Sequence, residues 1–246
     1  MKITDAFWDT KNLGLDTLEI SIEYSDTAVE LSRLFEILEA RRQGCYTVVK
    51  VPSTRPDILA TLSGPGLRFA ECTFDLRLKI GGDDFQVPKL FERIDRKITF
   101  CPITTPKQEQ RLEREILKGI FSTDRISLDP RFGETVAAQR YLNWLNAEKA
   151  NGSMLYELMQ GELPFGFFAL KALGDAKFDN FLAGLYTSHL NAGLGFAMIG
   201  KAIEAIRRAG GKWYNTHVSS NNFSVFRLYQ HYGFEIHSIS YVLVTV

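Results

Sequence analysis

Residues 182–211 read LAGLYTSHLNAGLGFAMIGKAIEAIRRAGG. The run 178–187 is mostly apolar and predicts a strand. Asn191-Ala192-Gly193-Leu194-Gly195 then makes a glycine-rich turn, after which Phe196, Ile199, Ile203 and Ile206 recur at helical spacing until Gly210 and Gly211 stop them. A strand that enters such a turn and opens a helix makes an anion site, because backbone N–H groups converge there and the helix dipole favours negative charge. The dinucleotide pattern fails here. Met198 stands where its third glycine belongs, and residues 213–218 hold no carboxylate to grip a ribose. Residues 195–201 come close to a Walker A loop, yet Ala202 replaces the magnesium-holding Ser or Thr and Phe-Ala-Met-Ile reads as helix. A tight turn without a ligand is the plain alternative.

Working outward, residues 154–159, 165–173 and 178–187 form three strands in close succession, with turns at Gln160-Gly161 and Gly174-Asp175. Upstream lie a strand over 97–103, a helix marked by Leu112, Ile116 and Ile120, an irregular stretch over 122–132, and a helix carrying Val136, Arg140, Tyr141, Trp144 and Leu145. Downstream come a strand over 213–218, a helix over 222–231 and a last strand over 234–246. The first third alternates smaller elements: a strand over 18–22, a helix through Leu31, Leu34, Phe35 and Leu38 that stops near Gly44, and a strand over 46–51 ended by Pro52. A helix over 55–62 follows, closed by Gly64, Pro65 and Gly66, and then a long strand over 68–80 with Phe74, Leu76 and Leu78 on one face. Gly81-Gly82-Asp83-Asp84 suits neither helix nor strand, which predicts a linker over 81–96 between a domain at 1–82 and another at 97–246. The class is α/β, with a mixed, largely antiparallel sheet flanked by helices.

With 246 residues, 45% of them hydrophobic and 24% charged, the chain is globular rather than disordered. Its 29 basic and 29 acidic residues cancel, which argues against a nucleic-acid partner but leaves room for one local anion site. Cys45, Cys72 and Cys101 are odd in number and never fall in a CxxC pair, so they read as reduced thiols rather than a disulfide framework or a zinc cage. Asp5 and Asp9 interrupt any apolar leader, and the most apolar run, 163–173, is short and contains Lys171; a cytoplasmic protein with no membrane partner is the expectation. His189, His217, His231 and His237 are scattered, and neither HExxH nor GxSxG occurs, so neither a metal nor a serine nucleophile is expected.

From Leu182 onward the sequence resembles the acetyl-CoA-binding half of the GNAT superfamily of N-acetyltransferases. Gly193-Leu194-Gly195 with Ala197 is similar to that family's phosphate-binding turn, and Asn222, Val225, Leu228, Tyr229, Gly233 and Phe234 match its following helix and last strand. The family's usual Arg or Gln three residues before the first glycine is Leu190 here. Trp8, Leu13-Gly14, the strand through Phe69, Glu71, Cys72 and Phe74, and Arg140, Tyr141 and Trp144 extend the likeness, over nearly the whole chain, to the sub-family of TDP-fucosamine acetyltransferases. Those enzymes carry a partial GNAT unit before a complete one. In keeping with such a duplication, Leu59, Leu62, Gly66, Phe69 and Glu71 loosely parallel Val225, Leu228, Gly233, Phe234 and Glu235.

The resemblance implies a GNAT fold and an acetyl-CoA-dependent transfer to the amino group of a nucleotide-linked 4-amino-4,6-dideoxy sugar, within a ternary complex. It implies acetyl-CoA contacts from Leu185, Tyr186, Thr187, Asn191, Ala192, Gly193, Leu194, Gly195, Phe196 and Asn222, the thioester carbonyl being polarised by a backbone N–H around 185–187. Tyr229 occupies the general-acid position, and Glu71 that of an acidic residue near the amino sugar, a base for the amine. His189 is a lesser candidate for the base. Ser122, Thr123, Asp124, Arg125, Ser127 and Asp129 offer hydroxyls, carboxylates and one guanidinium without regular periodicity, so Arg125 and Asp129 are assigned to the acceptor. Another small or protein amine as acceptor, and an acyl-CoA-binding regulator without catalysis, stay open. The long last strand, if it forms a sheet edge, offers a surface for a homodimer.

Overall fold

The computed structural model describes residues 1–40, 44–62, 66–81, 88–190 and 192–245. Gly64, Pro65, Gly82, Asp83, Asp84 and Asn191, all used above, lie outside them. The chain groups into two compact units. Unit 1 comprises Met1–Phe74, Ser219–Asn221 and Ser238–Val246, and unit 2 comprises Asp75–Val218 and Asn222–His237. The change of unit thus falls between Phe74 and Asp75, inside a strand, rather than after residue 82.

Unit 1 contains β1 (Lys2–Asp5), α1 (Phe7–Leu13), β2 (Asp16–Ser21), α2 (Ala28–Ala40), β3 (Cys45–Pro52), α3 (Pro56–Leu62), the first part of β4 (Leu67–Lys79) and most of β10 (Glu235–Thr245). β2 pairs antiparallel with β1 and parallel with β3, and β10 runs antiparallel to β3 from Ser240↔Pro52 to Val244↔Val48. Leu18, Ile20, Val49, Val51 and Leu243 from the strands close a core with Leu34, Ile58 and Leu62 from the helices. Residues 2–13, whose hydrophobic spacing predicts no element, form β1 and α1. The strand is only four residues long, and the helix has no side-chain cap at Ala6 and ends on Gly14 in the left-handed region, so neither leaves a periodic signal.

The expectation that the last strand is an open edge is overturned. β10 lies between β3 and β4 in the sheet order, and Val242, Leu243 and Val244 are buried, so it offers no edge to a second copy.

Unit 2 contains α4 (Lys89–Asp95), β5 (Ile98–Pro102), α5 (Pro106–Leu117), α6 (Gly133–Ala150), β6 (Met154–Gln160), β7 (Leu163–Gly174), β8 (Lys177–Leu185), α7 (Gly195–Arg208), β9 (Trp213–Ser219) and α8 (Phe223–His231). Within it the sheet order is β4-β9-β8-β7-β6-β5; β5 to β8 are antiparallel and β8 pairs parallel with β9. The mixed, largely antiparallel sheet expected from the sequence is present. Leu112 and Ile116 of α5 and Leu142 and Leu145 of α6 bury against Phe167, Ala169, Phe181 and Leu182 of the central strands. α5 starts on a capping box, Thr105 and Gln108 satisfying each other's backbone N–H, with Pro106 at the first helical position. Among the described residues no helix is long and apolar enough to cross a membrane.

The expected linker over 81–96 is only partly one, because α4 occupies its second half. Phe91 stacks on Phe196 at 4.5 Å, and Asp95 accepts from Lys201 at 3.0 Å. That pair, together with Glu204 at 3.1 Å, engages the lysine whose spacing imitates a Walker A loop. The strand expected over 178–187 stops at Leu185, and Thr187–His189 form a 3-10 turn.

Candidate active site

β8 and β9 share only three paired positions, Lys177↔Trp213, Phe178↔Tyr214 and Asp179↔Asn215. β8 continues to Leu185, still bonded to β7 at Gly166↔Leu185, while β9 runs on without pairing to it. The two strands therefore part at Asp179. On the other side of β8 the register with β7 shifts between Ala169 and Leu170, leaving Phe181 as the extra residue of a bulge. Asn180 stabilises this point: its amide nitrogen donates to Ala169 O (3.0 Å) and Leu182 O (3.1 Å), and its amide oxygen accepts from the Tyr214 hydroxyl at 2.5 Å. Thr216 Oγ1 donates to Asn180 O at 3.0 Å, and the Tyr229 hydroxyl lies 3.3 Å from Thr216 Oγ1. Burial pushes the Tyr229 phenol above its ordinary pKa, while the Thr216 and Tyr214 hydroxyls pull it partly back. Tyr229 is held there by α8, which Asn222 caps by accepting the Val225 N–H at 3.4 Å.

The chain leaves β8 through the 3-10 turn, and Ala192 N donates to His189 O at 3.0 Å. Gly193 sits at φ +68°, a conformation that favours glycine. Helix α7 then opens at Gly195 with no side-chain cap, and Ala197 N donates back to Leu194 O at 3.0 Å. A Cβ on Gly195 would stand 3.0 Å from Leu228 Cδ1, which explains the second glycine by the close approach of α8. An uncapped 14-residue helix beginning two residues after a left-handed glycine, next to parted strands, fits a diphosphate with a slender arm between β8 and β9. Coenzyme A has that shape and charge. Leu190 is exposed beside the turn and offers it no charge.

The backbone N–H groups expected over 185–187 are partly engaged within the protein. Tyr186 N donates to Phe165 O and Thr187 N to Glu115 Oε2, each at 2.8 Å; Leu185 belongs to the end of β8. The Tyr186 hydroxyl donates to Glu157 Oε1 at 2.8 Å, and Arg111 meets both oxygens of that buried carboxylate at 2.7 Å. Burial, reinforced by Glu157, holds the Tyr186 phenol far above its ordinary pKa.

Of the other expected residues, Glu71 is buried in unit 1 and accepts the Ser219 hydroxyl at 2.5 Å. Tyr229 belongs to unit 2. Asp129 is also buried, and its two oxygens meet the Arg131 guanidinium at 2.7 and 3.0 Å, so it braces its own loop. Asp124 likewise accepts from Ile126 N (2.8 Å) and Ser127 Oγ (2.6 Å). Arg125 is half-buried in this loop. The Ser188 hydroxyl lies 2.8 Å from His189 Nδ1.

One feature of unit 2 is absent from the sequence reading. Asp75 and Arg77 of β4, Asp179 of β8, Asn215 and His217 of β9 and His237 of β10 line a cavity of about 240 Å³. Arg77 Nε donates to Asn215 Oδ1 at 3.3 Å, and its guanidinium stacks over Trp213 at 5.6 Å. Burial lifts the Asp179 carboxyl; His217 and Lys171 hold it down, while Glu148 and Asp75 add to the rise. Among the described residues no group of three or more acidic, histidine or cysteine side chains is placed to hold a metal. The cavity is built from residues on four separate strands, far apart in sequence. No local pattern in the sequence marks it, since Asp179 stands between Phe178 and a second polar residue, Asn180.

No protein-family model matches the sequence, and no curated protein matches it. Solved structures do match the fold. A GCN5-related N-acetyltransferase from Sphaerobacter thermophilus superposes with TM-score 0.64 at 11% identity, over 93% of this chain and 72% of that one. A tandem GNAT protein from the clavulanic acid biosynthesis pathway gives 0.59 at 12%, over 95% and 75%. A fungal GCN5-related glucosamine N-acetyltransferase region within a multi-domain β-N-acetylglucosaminidase gives 0.63 at 14%, over 94% of this chain and 30% of that one. At such identities the likeness is one of architecture, and the chain has the GNAT fold.

Proposed function

We propose that the protein transfers an acetyl group from acetyl-CoA to the amino group of an amino sugar, in the form implied by the sequence a nucleotide-linked 4-amino-4,6-dideoxy sugar. The observation that carries this reading is the parting of β8 from β9 at Asp179↔Asn215, with the Tyr229 hydroxyl 3.3 Å from Thr216 at the same point. Acetyl-CoA supplies the thioester. Gly193, Gly195 and Phe196 hold its diphosphate through backbone N–H groups, and its thiol end enters the gap between the strands. Tyr229 gives the departing sulfur a proton, and burial, by raising phenol and thiolate together, keeps that transfer close to balanced. The fungal glucosamine N-acetyltransferase region, a structural match, supports an amino sugar as acceptor. The carboxylates of Asp75 and Asp179 in the neighbouring cavity favour a second reading, a simpler cationic amine.

The test incubates the protein with acetyl-CoA and a panel of TDP- and UDP-linked amino sugars, glucosamine and spermidine, following thiol release and product mass. Acetylation of a 4-amino-4,6-dideoxyhexose bears the reading out. Acetylation of spermidine alone overturns the sugar in favour of the second reading, and failure to bind acetyl-CoA overturns the transferase.

A further inference from the structure

Two consecutive residues at the end of β8 are held from α5. Arg111 and Glu115 stand one helical turn apart on that helix and so share a face. Arg111 reaches Tyr186 through Glu157, whose carboxylate it meets at 2.7 Å and which accepts the Tyr186 hydroxyl at 2.8 Å. Glu115 reaches Thr187 directly: its Oε2 accepts both the Thr187 N–H, at 2.8 Å, and the Thr187 hydroxyl. Its Oε1 pairs with the Lys118 ammonium further along α5. Burial works against this charge, but Lys118 and the two Thr187 donors outweigh it and hold the Glu115 carboxyl below its ordinary pKa. The helix that carries it is fixed at its start by the capping box and along its length by Leu112 and Ile116 in the core. With its side chain only 13% exposed and both oxygens engaged, Glu115 is an anchor rather than a solvated surface carboxylate.

The segment it anchors leads to the diphosphate turn. Tyr186 N still bonds to Phe165 O of β7, whereas Thr187 N turns to Glu115, so α5 takes over where the sheet lets go. From there His189 N donates to Tyr186 O at 2.8 Å and Ala192 N to His189 O at 3.0 Å, and Gly193 follows in the left-handed region. A short ladder of hydrogen bonds thus runs from the Glu115 anchor to the turn that opens α7. A loop ordered only on binding weakens affinity, because the conformational freedom it loses opposes association. Bonds to an ionised carboxylate are the stronger kind, and two of them on one residue fix the stem beforehand. Thr187 accordingly changes its part: its N–H, expected among the contacts of the thioester, is occupied by Glu115, and the residue serves as the fixed end of the loop.

We propose, resting on the transferase reading above, that Glu115 is a positioning residue for acetyl-CoA: by gripping Thr187 it holds the turn at 192–196 in the shape that receives the diphosphate, and so sets affinity for the coenzyme without taking part in the transfer.

The test uses the full-length chain, with CoA and acetyl-CoA as calorimetric probes and glucosamine as the amine in rate measurements. Glu115→Ala is expected to bind both coenzymes about 10-fold more weakly and to raise KM for acetyl-CoA by a similar factor, with kcat within about threefold of native. The binding stoichiometry should stay that of the native chain, which an unfolded fraction would lower. Glu115→Gln removes the charge but keeps an acceptor oxygen for Thr187, so it should recover most of the affinity. Thr187→Val, which removes the hydroxyl and keeps the N–H, should weaken binding about threefold alone and add almost nothing to Glu115→Ala, as two groups in one contact do. If Glu115→Ala does not fold, Thr187→Val carries the same test at smaller size. The calorimetric result stands whether or not glucosamine is the acceptor. A Glu115→Ala chain that binds CoA as tightly as native or more tightly, or that loses kcat with affinity unchanged, overturns the positioning role. Losses from the two variants that simply add overturn the route through Thr187. A native chain that binds neither CoA nor acetyl-CoA overturns the transferase reading itself, a result separable from every variant.

Discussion

The Tyr229 hydroxyl stands 3.3 Å from Thr216 Oγ1 and also interacts with the Tyr214 hydroxyl. Thr216 has one hydroxyl proton, which lies on Asn180 O, and Tyr214 points its own at the Asn180 amide oxygen. The Tyr229 proton therefore has the Thr216 and Tyr214 oxygens as its acceptors within the protein. Tyr229→Phe should lower turnover by about 10- to 1,000-fold and change acetyl-CoA affinity by less than about threefold. Stopped-flow thiol release and calorimetry measure the two quantities, and unchanged turnover removes the acid role.

The environment of Asp179 also predicts how stability varies with pH. Its pKa is raised in the folded chain by burial, so the native state binds this proton more tightly than the unfolded state. The destabilisation therefore exists above the raised pKa and vanishes as pH falls through the ordinary carboxylate range, where both states are protonated. Asp179→Asn should raise Tm at pH 7.5, because the amide carries no charge to bury. The gain over native should close as pH approaches about 4. Thermal scans at three pH values test it.

Arg111 and Glu157 form a buried pair that also receives the Tyr186 hydroxyl. Glu157 is 1% exposed, so removing only its cation strands a charge in the core. Arg111→Met should destabilise the protein by about 3–5 kcal/mol, and Arg111→Met with Glu157→Leu should recover most of that loss. Urea titration of both variants measures the difference.

Leu190 stands where the resemblance leads one to expect an Arg or Gln for the diphosphate, and its side chain is exposed. Leu190→Arg should tighten acetyl-CoA binding by about two- to fivefold at low salt, with the gain fading as ionic strength rises. Affinity that does not change removes the turn at 191–195 as the diphosphate site.

The spacing of Phe196, Ile199, Ile203 and Ile206 shows α7 plainly, because a long amphipathic helix repeats its signal over several turns. Asn222 and Gly233 mark the limits of α8 just as plainly, by a cap and a stop. Short or uncapped pieces do not repeat, which is why β1, α1 and α4 had no signature beyond Gly14 and Phe91. The site divides in the same way. Gly193 and Tyr229 sit in local motifs, whereas Asp75, Asp179, His217 and His237 come together only once four strands are ordered. Asp129 belongs to a third case: Arg131, two positions on, takes up its carboxylate, and that neighbour is visible in the sequence.

Unit 1 draws on opposite ends of the sequence, since Ser238–Val246 group with Met1–Phe74 and β10 bonds to β3. A gene fragment ending at residue 82 encodes β3 with β2 on one side but without β10 on the other, and one beginning at residue 97 encodes β10 without β3. In terms of descent, the two parts of this chain are not beads that recombination can exchange at the middle. Any crossover there severs the Val244↔Val48 to Ser240↔Pro52 ladder, so the halves have to be inherited, and to change, together.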